Sequence, residues 1–95
     1  MVIKKSIPYK KALKHILEYI AKDKVSAMLK FRQELNIQIK DIPNMPKKHR
    51  KSQYYNDDNM RDMIYKGYTI IYEIRNNIIE IHKIFNQNLP IMEQQ

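Results

Sequence analysis

The second half of the chain contains three short runs, rich in apolar and β-branched residues, of the length typical of β-strands. They are residues 61–66, 68–75 and 78–85. Gly67, the only glycine of the chain, separates the first two runs, and Asn76-Asn77 separates the last two. Glycine adopts the positive φ of a tight turn without strain, and asparagine tolerates it better than most residues do. The pattern predicts three antiparallel strands joined by two tight turns.

The middle strand of this predicted meander has two different faces. Successive side chains of a strand point to opposite sides, so alternate residues share a face. One face carries Tyr68, Ile70, Tyr72 and Ile74. We expect this face to pack against the rest of the molecule, which the first half of the chain must supply.

The first half shows the spacing of two amphipathic helices. The first is predicted over residues 8–21, with Pro8 in its first turn, where a missing N–H costs nothing. The second is predicted to begin after Asp23 as N-cap and to end before Pro43. The apolar stripes are Leu13, Ile16, Leu17 and Ile20 on the first helix, and Val25, Met28, Leu29, Phe31, Leu35, Ile39 and Ile42 on the second. Neither helix buries its stripe alone, so we expect a helical hairpin packed on the sheet.

The order of these elements defines the expected fold. Residues 2–7 are predicted to form a short N-terminal strand, and residues 52–55 are a candidate for a further strand before a turn at 56–59. The prediction is an α+β fold: a short strand, a helical hairpin, then a three- to four-stranded antiparallel sheet. A chain of 95 residues makes one domain with one core, which we assign to residues 1–90. Residues 91–95 are predicted to be a polar C-terminal tail.

Positive charge is concentrated in the first half of the chain. The net charge is +8, and residues 1–51 hold 14 Lys and Arg against 4 Asp and Glu. Residues 52–95 hold 4 against 6. This asymmetry favours an anionic partner, such as nucleic acid, a ribosome or an acidic protein segment. The alternative is a basic surface that serves only solubility.

Composition excludes several classes of function. There is no cysteine, and the three histidines are dispersed along the sequence, so we expect no metal site. No glycine-rich phosphate loop is present, and we expect no cofactor and no small-molecule substrate. No apolar run approaches the roughly 20 residues of a membrane span, and no secretory signal is evident. We therefore expect a cytoplasmic protein without a membrane partner.

The ordered set of motifs resembles the RelE/ParE superfamily of toxins from type II toxin–antitoxin systems. The features that carry the resemblance are the proline-containing loop after the helical hairpin, the strand that begins at Arg61, the turn Lys66-Gly67-Tyr68, the strand through Tyr72, and the final strand through Phe85. The resemblance covers about residues 1–90. It implies a small α+β toxin that arrests growth unless a cognate antitoxin neutralises it, usually through a segment that wraps the toxin surface.

The superfamily contains two activities, and this chain departs from the pattern of one of them. RelE-like members cut mRNA on the ribosome with a cluster of basic residues, whereas ParE-like members poison DNA gyrase. Where RelE-like chains commonly have arginine after the Gly-Tyr turn, this chain has Thr69, and an expected basic–aromatic pair after the last strand is replaced by residues 86–90. Both departures favour the ParE-like branch, although a C-terminal arginine common there is also missing. Whether the chain is an enzyme therefore stays open.

If the chain is an mRNA endonuclease, the candidate catalytic residues are Arg61 and His82. Metal-free RNA cleavage needs a base, a cation beside the developing phosphorane charge, and an acid. These two side chains satisfy that need only if their strands bring them to one cleft. The alternative is that Arg61 pairs with Asp58 or Asp62 and that His82 is a solvated residue of the sheet.

A second set of residues is predicted to bind nucleic acid or a protein target. It comprises Lys47, Lys48, His49, Arg50, Lys51 and Lys83. Such a run contacts phosphate, forms a solvated loop or contacts the antitoxin, and the sequence leaves these open. The exposed helix lysines offer another contact surface for antitoxin or target. The tyrosines of the second half are expected mainly to pack in the core rather than to stack on bases.

Three hypotheses of function follow from the sequence. The leading one is a ParE-like toxin that poisons DNA gyrase through a protein contact. The alternative is a RelE-like, ribosome-dependent mRNA endonuclease, and a further alternative is a non-toxic basic binding module. The expected partners are a cognate antitoxin, and DNA gyrase or the ribosome with its mRNA as target.

Overall fold

The structure is a computed structural model, and it describes residues 1–86. In chain order its elements are β1 (Val2–Lys5), α1 (Ile7–Asp23), α2 (Val25–Asp41), a 3-10 turn (Ile42–Asn44), β2 (Arg50–Lys51), β3 (Met60–Tyr65), β4 (Tyr68–Arg75) and β5 (Ile78–Asn86). The predicted tail at residues 91–95 lies outside the described residues. Within residues 1–86, neither helix is long and apolar enough to cross a membrane.

The five strands form one mixed sheet in the order β1-β5-β4-β3-β2. Strands β2 to β5 pair in antiparallel fashion, and β1 lies parallel to β5 with Val2 opposite Ile78. The predicted α+β fold is confirmed, and the structure adds the place of the first strand. The helical hairpin leads from β1 at one edge of the sheet to β2 at the opposite edge. It therefore crosses one face of the sheet before the chain returns through β3 and β4 to place β5 beside β1.

Both predicted turns of the meander are confirmed. Tyr65 pairs with Tyr68 across the first turn, where Lys66 and Gly67 have φ of 48° and 84°. Arg75 pairs with Ile78 across the second turn, where Asn76 has φ of 48°. The first turn therefore has two consecutive residues of positive φ, which matches the right-handed twist of the flanking strands.

The ends of the helices differ from the prediction at two places. Helix α1 begins one residue earlier than expected because Ser6 is its N-cap, with the Ser6 hydroxyl accepting a hydrogen bond from the Tyr9 amide at 3.1 Å. Asp23 was expected to cap α2, and this prediction is wrong. Asp23 is the last residue of α1, and the extended residue between the helices is Lys24, which makes no side-chain cap.

The expected strand at residues 52–55 is also wrong. The edge strand is the pair Arg50–Lys51, and the chain then leaves the sheet edge. The Asp62 carboxylate accepts a hydrogen bond from the Gln53 amide at 3.0 Å, and the Ser52 hydroxyl accepts one from the Tyr54 amide at 3.1 Å. These side-chain acceptors take amide groups that a strand would use in its ladder. Residues 52–55 instead lie against the sheet face opposite the helices, where the Tyr54 ring packs edge-on to Phe85.

The hydrophobic core lies between the helical hairpin and the sheet. As predicted, the face of β4 that carries Tyr68, Ile70, Tyr72 and Ile74 points into it. The buried residues of this core are Tyr9, Phe31, Leu35, Ile39, Ile42, Met63, Tyr65, Ile70, Tyr72, Ile79, Ile81 and Ile84. Phe31 of α2 packs edge-on to Tyr65 and Tyr68, with ring centroids 5.2 and 5.5 Å apart. The predicted helix stripes therefore cover the sheet, except that Val25 and Leu29 in the first turns of α2 are exposed and lie outside the core.

Tyr9 gives the core a measurable dependence on alkaline pH. Its side chain is fully buried, its hydroxyl has no hydrogen-bond partner among the described residues, and burial raises its pKa to about 12. Above pH 10 the unfolded chain releases the phenolic proton while the folded chain retains it, so the free energy of unfolding falls as pH rises toward 12.

Tyr9→Phe should therefore lose less stability than the native chain between pH 10 and pH 11.5. At pH 8 the variant should be at least as stable, because the hydroxyl that it lacks is buried without a partner. Urea denaturation followed by circular dichroism at several pH values measures both quantities. Parallel pH profiles for the two proteins would contradict the assignment.

Candidate functional site

Acidic side chains accompany most of the basic loop, which we define as residues 47–51. Lys47 forms an ion pair with Asp58 at 2.8 Å, and Lys48 approaches Asp41 to 3.7 Å. These pairs are about half exposed, so each contributes little to stability and its cation is available for exchange. Lys51 is exposed and has no ion-pair partner within residues 1–86. Asp41 and Asp58 lie outside the basic loop in sequence, so the number of charges in the loop does not show that its lysines are paired.

Arg50 is anchored more firmly than the lysines of the basic loop. Its guanidinium lies 3.3 Å from a carboxylate oxygen of Asp62, the residue opposite it in the β2–β3 ladder. The Asp62 side chain is fully buried, and the same oxygen accepts the Gln53 amide. Arg50 is therefore part of the structure that turns the chain away from the sheet edge.

His49 points inward rather than toward solvent. Its ring packs edge-on to Tyr72, with ring centroids 6.0 Å apart, and the Tyr72 hydroxyl donates a 2.6 Å hydrogen bond to the Pro46 carbonyl. Burial lowers the pKa of His49, and the charge of Lys48 lowers it further. His49 is therefore neutral at pH 7 and contributes no positive charge to the basic loop.

Arg61 is buried, with 8% of its surface exposed, and its side chain has a structural role. Its Nε donates to the Asp58 carbonyl at 2.9 Å, Nη1 donates to the His49 carbonyl at 3.1 Å, and Nη2 donates to the Asp58 carboxylate at 2.8 Å. The guanidinium thus joins the basic loop to the turn before β3. Of its two candidate acidic partners, Asp58 is the one in contact.

His82 lies on the other side of the sheet. Its Nε2 is 2.9 Å from the Glu73 carboxylate, and its backbone carbonyl accepts the Ser6 hydroxyl at 2.8 Å. Arg61 pairs with Tyr72 in the β3–β4 ladder, and Glu73 is the next residue of β4. Because neighbouring residues of a strand point to opposite faces, Arg61 and His82 occupy opposite faces of the sheet. The structure does not bring them to one cleft.

Lys83 lies beside Tyr55, with its ammonium 5.9 Å from the ring centroid. Tyr55 belongs to the segment that crosses the face opposite the helices. Lys83 is therefore separated from Lys47 and Lys48, which lie at the loop after α2. The predicted binding residues are divided between two surfaces.

A groove between α1 and α2 was not singled out as a cavity by the sequence. It encloses about 550 Å³. Its lining residues are Lys5, Tyr9, Lys10, Leu13, Lys14, Leu17, Glu18, Ala21, Met28, Arg32 and Asn36. The apolar members come from the helix stripes, while four of the five charged members are basic. The signal available from sequence was the row of lysines beside the stripe of α1.

The comparisons with known proteins agree with this architecture. Residues 4–88 match the family described as ParE toxin of type II toxin-antitoxin system, parDE. A solved structure described as the chromosomal ParDE TA system from P. aeruginosa is similar, with a TM-score of 0.72 and 16% identity over 90% of this chain and 95% of that chain. A search of curated proteins by sequence finds no match.

A small α+β toxin fold is thus indicated by two separate comparisons. The family match covers most of the chain, from the end of β1 through β5, while the structural likeness alone would show only the fold. The chain belongs to the ParE toxin family of type II toxin–antitoxin systems.

The contacts of Arg61 predict a loss of stability on truncation. Arg61→Ala leaves the Asp58 and His49 carbonyls without their donor and should lower the free energy of unfolding by about 2 kcal/mol. Urea denaturation at pH 7 measures the change. Lys51→Ala is the matched control, since Lys51 lies opposite Arg61 in the ladder but is exposed, and it should change stability by less than about 0.5 kcal/mol. Equal stability of both variants would contradict the structural role.

Proposed function

We propose that this chain is a growth-arresting toxin that acts by poisoning DNA gyrase through a protein contact and is held inactive by a cognate antitoxin. The observation that carries the proposal is membership of the ParE toxin family over residues 4–88. The target itself is inferred from the resemblance to ParE-like toxins and from the state of the candidate nuclease residues.

The positions of those residues favour gyrase poisoning over the mRNA endonuclease hypothesis. A cation that stabilises a phosphorane must reach the phosphate, and a general base must lie within hydrogen-bond reach of the 2′-hydroxyl. Arg61 is buried and donates three hydrogen bonds to groups of the protein itself, while His82 lies on the opposite face of the sheet. Thr69, at the position where RelE-like chains commonly carry arginine, is fully buried. An mRNA endonuclease would need a different set of groups.

The basic loop and Lys83 remain our proposed target contacts. Lys47 and Lys48 hold exposed ion pairs that a partner's carboxylates can replace at little cost. A shallow apolar surface formed by Met45, Pro46 and Ile74 adjoins these two lysines. Apolar contact with charged groups at its rim is the usual composition of a protein–protein interface.

We further propose that the groove between α1 and α2 receives the antitoxin. Leu13, Leu17 and Met28 provide an apolar lining, and Lys10, Lys14 and Arg32 surround it with positive charge. An amphipathic segment with acidic flanks would bury its apolar side there and bring opposite charges together. This arrangement explains why so much of the basic character lies on the helices.

The target is tested by inducing the toxin alone in bacteria and following incorporation of labelled thymidine and labelled methionine during the first minutes. A gyrase poison should reduce thymidine incorporation first, while methionine incorporation persists. An early fall in methionine incorporation would instead support the mRNA endonuclease. Normal growth with confirmed expression of folded protein would support the non-toxic binding module and overturn the proposal.

The antitoxin groove is tested by charge reversal at two positions of one helix. Lys14→Glu should weaken antitoxin binding about tenfold, equivalent to about 1.4 kcal/mol, because Lys14 lines the groove. Lys11→Glu changes the net charge equally but lies outside the groove lining, so it should have a much smaller effect. Calorimetric titration with the cognate antitoxin measures both affinities. Equal weakening by the two variants would indicate a general charge effect and contradict docking in the groove.

A further inference from the structure

Two glutamates face each other across the β4–β5 hairpin. Glu73 and Glu80 are direct partners in the antiparallel register, and both side chains are about three-quarters buried. Like charges directly opposite one another destabilise a sheet unless a cation lies between them. A cation is therefore needed to stabilise the Glu73–Glu80 pair. The two side chains lie on the face of the sheet that the helices do not cover.

His82 adds a third possible ligand to the two carboxylates. It follows Glu80 by two residues on β5, and its Nε2 lies 2.9 Å from the Glu73 carboxylate. One donor atom from each of Glu73, Glu80 and His82 falls within 4.8 Å of the others. A four-coordinate zinc ion bound by imidazole and carboxylate at about 2.0–2.2 Å holds its ligand atoms about 3.4 Å apart, so the three side chains would need to draw closer around the ion.

Arg75 is the cation that now neutralises the two glutamates. Its guanidinium pairs with Glu80 and lies 3.7 Å from Glu73. The Arg75 side chain is 53% exposed and sits at the end of β4, so it can move into solvent without disturbing the core. The backbone pairing of Glu73 with Glu80 in the β4–β5 ladder keeps the two residues opposite each other whether or not Arg75 is in place.

We propose that Glu73, Glu80 and His82 form a binding site for a divalent transition metal, with zinc the best match, and that the metal displaces Arg75. One imidazole nitrogen and two carboxylates are ligands that zinc accepts, and a water molecule would complete four-coordination. The Ser6 hydroxyl holds the His82 carbonyl, which fixes the strand that carries two of the three ligands.

The metal would act as a clamp on the last hairpin. It would tie β4 to β5, and β5 in turn pairs with β1. A ligand that binds only the folded chain stabilises it in proportion to the logarithm of its concentration above Kd. The site lies on the opposite side of the sheet from the groove between α1 and α2, so it is separate from the proposed antitoxin contact.

The test is thermal unfolding of untagged, EDTA-dialysed protein with and without ZnCl2, together with calorimetric titration of zinc alone. We expect zinc to raise Tm of the native chain. His82→Ala and Glu80→Gln should each lose that rise and weaken zinc binding by at least about tenfold, since even outer-shell changes at metal sites cost that much. Circular dichroism in EDTA establishes that each variant is folded before zinc is added.

Arg75→Gln separates a metal site from a simple ion-pair cluster. If Arg75 competes with the metal, this variant should bind zinc more tightly than the native chain, although it is less stable in EDTA. His15→Ala is the matched control, because His15 and Glu18 form the exposed histidine–carboxylate pair of α1 at 3.7 Å. Absence of a zinc effect on the native chain overturns the proposal. So does an effect that survives His82→Ala or Glu80→Gln, or that is lost in His15→Ala.

Discussion

The parallel pairing of β1 with β5 is the constraint on which the rest of the structure depends. It places the first strand of the chain beside the last and forces the helical hairpin to cross one face of the sheet. Ser6 fixes the geometry of this junction, because its hydroxyl accepts the Tyr9 amide and donates to the His82 carbonyl. These two hydrogen bonds connect the start of α1 to β5. They therefore help to set the orientation of α1, and of the groove that it lines, relative to the sheet.

The second constraint is that the centre of the sheet is covered on both faces. Ile70 and Tyr72 of β4 are buried beneath the helices, while Thr69 and Ile71 are buried on the other face. That other face is partly covered by residues 52–55, which the Asp62 carboxylate holds in place. The surfaces left for partners are therefore the helical exterior, the basic loop, and the part of the sheet around the β4–β5 hairpin.

Much of the fold could be predicted from the sequence because local signals and global packing agree. Gly67 and Asn76-Asn77 mark the turns, and the alternating residues of the middle strand identify the face that enters the core. The parallel place of β1 could not be predicted, since it depends on how the helical hairpin crosses the sheet. Asp23 failed as a cap because the first helix continued through it.

The candidate site was harder to predict, because its character depends on partners distant in sequence. Arg61 was as compatible with catalysis as with structure until its contacts with Asp58 and His49 were known. The Glu73–Glu80 pair, in contrast, follows from the predicted hairpin register. A lone histidine and two carboxylates on neighbouring strands have no characteristic spacing in the sequence, unlike the cysteine and histidine patterns that mark most zinc sites.

Basic and acidic residues are distributed unevenly between the two halves of the chain. Residues 1–51, which contain both helices, hold 14 basic and 4 acidic residues, whereas residues 52–95 hold 4 basic and 6 acidic residues. Because both helices lie on one face of the sheet, their exposed lysines give that side of the molecule a positive field. During diffusion this field would orient the helical side of the toxin toward an acidic partner. A larger fraction of their encounters would then lead to binding, and the association rate would rise.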